Sequence, residues 1–231
     1  MIGSGVVIAI GGNENKRGAR SSILGSFVRR AGAKGARIVI IPSASEEPRA
    51  RAAHYTRIFK RLGAQSVTTI HAERRQVSAG ERHALRDATG IFVTGGNQQV
   101  LMEHLRATGL VELIRDVVRG GAVYAGTSAG ASAASATMIA GSDGDLVHLE
   151  EGLGLIPHVI IDQHFGERAR LGRLKNAVRW QKLHGIGIDE DTAIVWSAAG
   201  DQMQITVEGV GKVTFVDPDH KIQVLAANDA R

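Results

Sequence analysis

The chain contains no cysteine. That removes disulfide scaffolds, thiolate metal sites, thiol nucleophiles and thiol redox chemistry. Aromatic residues are only 4% of the composition, so the core must be built from Val, Ile, Leu and Ala, and stacking platforms for single-stranded nucleic acid are scarce. A segregated run of one charge sign is also missing. The 28 Lys and Arg against 23 Asp and Glu leave +5, interleaved and without a basic run, so no nucleic-acid partner is expected. The opening segment MIGSGVVIAIGG (Met1 to Gly12) is too short to span a bilayer and lacks the basic start and long apolar stretch of a secretory leader. It reads as a first buried strand, with no membrane partner and a cytoplasmic location expected. The 43% hydrophobic and 22% charged content over 231 residues fits one globular domain spanning residues 1–231.

What is present is a regular alternation. Val6–Ile10, Arg37–Ile41, Val67–Ile70, Ile91–Thr94 and Ala122–Ala125 read as strands, several of them continuously apolar and β-branched, as strands covered on both faces should be. Between them lie amphipathic stretches at Ser21–Ala33, Arg49–Leu62, Gly80–Ala88 and Gln98–Arg119, the last expected to break at Gly109. Strand–helix alternation implies a parallel sheet with right-handed crossovers. The fold class expected is α/β, a three-layer sandwich around a mainly parallel sheet. The second half differs. Ala136–Gly154 reads as an irregular Gly- and Asp-rich loop, then come a short strand at Val159–Asp162 and a helix over Glu167–Leu183. After Gly185 strand follows strand, with turns at Ala199-Gly200-Asp201 and Asp217-Pro218-Asp219, suggesting antiparallel strands added to one edge of the parallel sheet.

Four motifs sit at strand ends, where α/β sheets form their sites. Gly126-Thr127-Ser128-Ala129-Gly130 has the form G-x-S-x-G between an apolar strand and an Ala-rich helical stretch, the context a nucleophile elbow requires. The Ala129 amide, at the helix start, can donate to a developing oxyanion. Gly95-Gly96-Asn97-Gln98 is a glycine-rich turn whose Gly96 or Asn97 amide is a candidate for the second donor, and whose Gln98 is a candidate substrate ligand. Asp162-Gln163-His164-Phe165 offers His164 as a general base, followed by Arg168, Arg170 and Arg173, whose guanidinium forks suit carboxylates. Gly185 to Ala193 (GIGIDEDTA) places Asp189, Glu190 and Asp191 where one carboxylate could orient the His ring. A metal is not expected, because no paired His at ligand spacing accompanies these acids.

In this order the four motifs resemble those of the cyanophycinases, part of the serine-peptidase family that also contains aspartyl dipeptidase (peptidase E). The loop Ile10-Gly11-Gly12-Asn13-Glu14-Asn15-Lys16 is similar to that family's first strand and glycine loop, and the resemblance runs from Val6 to Ala193. It implies a fold akin to class I glutamine amidotransferases, where the elbow often carries Cys; here it carries Ser128. It implies hydrolysis of β-aspartyl (isopeptide) linkages of cyanophycin, a polyaspartate with Arg on each β-carboxyl, through an acyl-enzyme that yields β-Asp-Arg dipeptides. A short aspartyl or isoaspartyl dipeptide is the alternative substrate, and a non-catalytic amidotransferase-like binding module the alternative to an enzyme. Matched residue by residue, Ser128 is the nucleophile, His164 the base and Glu190 the acid. Asp143, 15 positions after the Ser in the segment Gly141 to Asp145, is a second candidate acid. Gln98, Asp162, Gln163, Arg168, Arg170 and Arg173 match positions lining the family's substrate pocket, where the arginines could hold aspartyl carboxylates. No cofactor is implied, and a homodimer is compatible with the fold.

Overall fold

A computed structural model describes residues 5–15, 22–74, 76–143, 146–199 and 202–226. Lys16, Ser21, Gly144, Asp145 and the Gly200-Asp201 turn lie outside the described residues.

The five strands read from the first half form the parallel part of one seven-stranded sheet: β1 (Val6–Ile10), β2 (Arg37–Ile41), β3 (Ser66–Thr69), β4 (Gly90–Val93) and β5 (Val123–Thr127). Two C-terminal strands, β10 (Thr192–Ala199) and β11 (Gln202–Gly209), add antiparallel beside β1, giving the order β11-β10-β1-β5-β4-β2-β3. The chain order doubles back at β1, so β1 and β5 lie side by side mid-sheet, and their carboxyl ends form the crevice where such sheets bind ligands.

The helices begin and end where local chemistry dictates. α1 (Ile23–Arg30) is capped by the Ser22 hydroxyl, α2 (Pro48–Arg61) starts on a proline, and α3 (Ala79–Arg86) carries a full capping box between Ser78 and Glu81. The long stretch does break at Gly109, which takes a left-handed conformation between α4 (Gln98–Ala107) and α5 (Leu110–Arg119). α1 and α2 cover one face of the sheet through Phe27, Tyr55, Ile58 and Phe59, packed on Ile8, Ile40, Phe92 and Ala125. The few aromatics are thus concentrated: Phe27, Tyr55, Phe59 and Phe92 stack and tilt against one another at centroid distances of 4.6–6.0 Å. The opposite face packs on α3, α4, α5 and the short α6 (Ala129–Ala133) through Leu85, Leu101, Leu105, Ile114 and Ala131.

Two parts of the second half depart from the sequence reading. The 136–154 segment is not an irregular loop but contains a hairpin of β6 (Thr137–Asp143) and β7 (Leu146–Glu151), bulged between Ile139 and Gly141. Its glycines and aspartates masked the alternation, because buried Ile139 and Val147 find their partners on α7 (Leu171–Gln181) rather than locally. Nor do all the late strands join the parallel sheet. β8 (Val159–Gln163), β9 (His184–Ile188), β12 (Lys212–Val216) and β13 (Ile222–Ala226) form their own sheet in the order β13-β12-β9-β8. Along β8 the faces alternate: Val159 and Ile161 pack with the main core, while Ile160 packs beneath α7. Among the described residues no helix is long and apolar enough to cross a membrane.

Close approach, not hydrophobicity, decides the elbow region. A Cβ on Gly126 would lie 2.2 Å from the Gly130 carbonyl, and one on Gly130 would lie 2.5 Å from that of Val93. Gly126→Ala is therefore expected to destabilise the fold by about 1–3 kcal/mol. Urea denaturation should show a lowered midpoint with an unchanged slope. An unaltered midpoint would mean that α6 does not sit this closely on β5.

Candidate active site

Ser128 stands between β5 and α6 with φ 52° and ψ −110°, a strained backbone that projects its hydroxyl from the turn. Its own amide is held by the Ile10 carbonyl at 2.9 Å. His164 follows β8, also with positive φ, and its amide donates to the Gly11 carbonyl at 2.8 Å. The Asp191 amide, next to Glu190, donates to the Gly12 carbonyl at 2.9 Å. Three consecutive carbonyls at the end of β1 thus gather three segments far apart in sequence. Gly12 has a second duty: a Cβ there would lie 2.3 Å from the His164 ring.

The side chains meet as expected. His164 Nε2 lies 3.0 Å from Ser128 Oγ, and its Nδ1 lies 2.6 Å from Glu190 Oε1. A carboxylate only accepts, so Nδ1 carries the ring proton and the Nε2 lone pair faces the hydroxyl. Asn13 Nδ2 donates to the other oxygen of Glu190 at 2.9 Å. These two donors, His164 first and Asn13 second, hold the Glu190 carboxyl below the usual glutamate range. Its neighbours serve the loops instead: Asp189 accepts from the Gly166 and Lys212 amides, and Asp191 from the Asn15 amide.

The competing acid is corrected. Asp143 lies at the tip of the β6–β7 hairpin, 85% exposed, and pairs with His148 at 3.0 Å. The donor role offered to Asn97 is corrected too. Its amide is taken by the Ala44 carbonyl at 2.8 Å, and its side chain caps α4 by accepting from the Gln99 and Val100 amides. The amides of Gly96 and Ala129 have no acceptor among the described residues.

The arginines are arranged differently from the sequence expectation. Asp162 is fully buried and accepts from Arg173 Nε at 2.7 Å, from Arg173 Nη2 and from Arg170 Nη1 at 3.4 Å. Strand alternation turns Asp162 toward α7 and Gln163 toward Ser128. Arg170 Nη1 also donates to the Gln163 carbonyl at 2.5 Å and to its side-chain oxygen at 3.0 Å. That oxygen lies 3.4 Å from Ser128 Oγ. Burial pushes the Arg170 guanidinium down to about 10, against the pull of Asp162. Asp162, Arg170 and Arg173 therefore form a brace behind the site, Gln163 reaches from it to Ser128, and the charge of Arg168 acts on Glu190. Arg168 is exposed and forms no ion pair among the described residues. Gln98 does line the cavity, with its amide nitrogen donating to the Ile139 and Ala140 carbonyls at 2.9 and 3.1 Å.

That cavity measures about 830 Å³ and adds residues the sequence reading passed over, among them Asn13, Glu14, Glu46, Glu47, Arg51 and Tyr55. Glu14 is buried at its floor, accepting from the Tyr55 hydroxyl and from Thr127 Oγ1 at 2.6 Å. Burial and then the Glu14 charge push the Tyr55 hydroxyl far above the usual range, so it stays a donor. The signal that could have found Asn13 and Glu14 was the glycine pair closing the central strand at its switch point. Among the described residues no group of three His, Asp or Glu side chains could hold a metal ion.

The Glu190 shift has a sign that can be tested. A carboxyl depressed on folding adds stability above its unfolded value and loses it as pH falls through the folded one. The stability gap between the native chain and Glu190→Gln should be widest at neutral pH and shrink below the ordinary glutamate range. Urea denaturation across a pH series measures it, and a gap independent of pH would contradict the depressed carboxyl.

The comparisons agree with this geometry. Residues 7–206 match the model of peptidase family S51. A cyanophycinase of Trichormus variabilis is 46% identical over 222 residues, covering 92% of this chain and 73% of that one. Peptidase E of Streptomyces coelicolor is 28% identical over 173 residues, covering 74% of this chain and 68% of that one. The crystal structure of a peptidase from an acI-B1 actinobacterium superposes with a TM-score of 0.77 at 25% identity, covering 98% of this chain and 96% of that one. A strand–elbow–helix serine with its histidine and carboxylate, on a fold shared with the actinobacterial peptidase, makes this a serine-type hydrolase, and the chain belongs to peptidase family S51.

Proposed function

We propose that the chain hydrolyses cyanophycin, with Ser128, His164 and Glu190 as its triad. The observation that carries this reading is His164 bridging Ser128 at 3.0 Å and Glu190 at 2.6 Å, in a chain 46% identical to a cyanophycinase. Ser128 Oγ attacks the scissile carbonyl carbon while His164 Nε2 takes the hydroxyl proton. The Gly96 and Ala129 amides receive the oxyanion. The C–N bond then breaks, the nitrogen leaves with the proton from His164, and the acyl group remains on Ser128. Water, deprotonated by the same ring, releases it as a carboxylate. Glu190 holds the tautomer and stabilises the imidazolium in both steps.

Counting bonds decides which amide is cut. A β-Asp-Arg product still contains the isopeptide bond, so releasing it requires hydrolysis of the main-chain amides on either side. Cutting the isopeptide bond would instead release free arginine and leave polyaspartate. Isopeptide cleavage and dipeptide release therefore cannot both describe the reaction, and the expectation of isopeptide cleavage is replaced by main-chain hydrolysis. The peptidase E relative supports a second reading, a short aspartyl peptide as substrate. The absence of a nucleic-acid partner belongs to the same proposal, supported by a basic cluster whose Arg170 and Arg173 are engaged by Asp162.

Incubation of the purified chain with cyanophycin, with products identified by mass spectrometry, should yield β-Asp-Arg. Ser128→Ala should lower that rate by at least about 10³-fold. No release by the native chain would overturn the substrate, free arginine in place of dipeptide would overturn the bond assignment, and equal release by the variant would overturn the role of Ser128.

A further inference from the structure

Building on the cyanophycin reading, we propose that Glu46, Glu47 and Arg51 determine specificity by reading the arginine branch of the substrate. The two carboxylates take its guanidinium, and Arg51 takes its α-carboxylate.

The argument is one of elimination among charges. The three arginines expected to meet substrate carboxylates do not line the cavity, and Asp162 engages two of them. Among the described residues the guanidinium that lines it is that of Arg51, on the first turn of α2, while Arg168 stands close enough for its charge to act on Glu190. On the acidic side, Glu14 is buried and bonded by Tyr55 and Thr127, and Glu190 is bonded by His164 and Asn13. Glu46 and Glu47 remain. Both are exposed on the loop between β2 and α2, both line the cavity, and neither side chain has a hydrogen bond or ion pair among the described residues. Among the described residues, the cavity beside Ser128 therefore offers two uncommitted carboxylates and one guanidinium.

The substrate has the complementary pattern. Arginine attached through its α-amino group to an aspartyl β-carboxyl keeps both a guanidinium and a free α-carboxylate. A plain polyaspartate carries only negative charge and would be repelled by the same lining. Bidentate guanidinium–carboxylate pairing also gives the geometry to prefer arginine over a neutral side chain of equal shape. The arrangement is a specificity device built from the loop after β2, separate from the triad and from the buried brace behind it.

Binding to the Ser128→Ala chain, which separates recognition from turnover, tests this by calorimetry. The ligands are a short β-Asp-Arg oligomer and the same oligomer with citrulline, an uncharged isostere, in place of arginine. The arginyl ligand should bind about tenfold more tightly than the citrullinyl one. Adding Glu46→Gln and Glu47→Gln should bring that ratio close to one, weakening the arginyl ligand while the citrullinyl ligand, relieved of repulsion on its carboxylates, binds no more weakly than before. Adding Arg51→Gln instead should weaken both ligands alike, since both keep the α-carboxylate. No arginyl preference in the Ser128→Ala chain, or a preference that survives the double glutamine substitution, overturns the proposal. Turnover of cyanophycin by the native chain is scored separately. Turnover without the preference would leave the hydrolase reading standing and this one refuted, and the preference without turnover would do the reverse.

Discussion

Three consecutive carbonyl oxygens at the end of one strand hold the site together. Ile10, Gly11 and Gly12 accept from the amides of Ser128, His164 and Asp191 at 2.8–2.9 Å. Each bond is an ordinary backbone hydrogen bond, worth on the order of 1 kcal/mol net. Their value is geometric. Reactive side chains must be held within a fraction of an ångström to work, and loops held by one backbone ladder cannot drift independently. β1 can serve this role because it lies mid-sheet, between β5, which leads to the elbow, and β10, which follows the acid. The strain at Ser128, where a non-glycine residue sits at φ 52°, is sustained by that over-determination.

A second constraint separates charge that supports the structure from charge that faces the cavity. Asp162 has no solvent contact, and an unpaired carboxylate there would be very costly, so it requires its arginines. Arg170 then reaches Gln163, and Gln163 reaches Ser128, so the buried pair braces the nucleophile from behind. The basic balance of the sequence is thereby partly internal. Among the described residues, what lines the cavity has more carboxylates than guanidinium groups, the opposite of what the Arg168, Arg170 and Arg173 cluster suggests when read along the chain.

Much of this was legible in the sequence, for physical reasons that differ by element. Doubly covered strands such as Arg37–Ile41 announce themselves because both faces must be apolar. The elbow is legible because its two glycines are demanded by contacts within a few residues and with the adjacent strand. Ser128, His164 and Glu190 could be matched because each sits at a strand end in a motif of its own. What stayed hidden depends on partners far away in the chain. The 136–154 hairpin takes its burial from α7, and the separate sheet of β8, β9, β12 and β13 looks, strand by strand, like an extension of the first. The competition for the Asn97 amide comes from Ala44, more than fifty residues earlier, and no local pattern reveals it.

That same competition shapes the oxyanion site. Gly96 takes φ 144°, and a Cβ there would lie 1.8 Å from the Ala44 carbonyl, so the 44–45 backbone presses directly on the turn. Because Ala44 accepts from Asn97, the turn is fixed with the preceding amide, that of Gly96, without an acceptor among the described residues, at a cavity that Ser128 also lines. The loop beginning at Ala44 continues through Ser45 to Glu46 and Glu47. One short connection after β2 therefore sets both the donor that would meet the developing oxyanion and the carboxylates that would meet the substrate's cation. On the proposed reading, a substrate held by its arginine would be registered against the Gly96 amide through only one or two residues beyond Ala44. If both proposed roles hold, recognition of the branch and polarisation of the scissile carbonyl are coupled by the stiffness of a single loop.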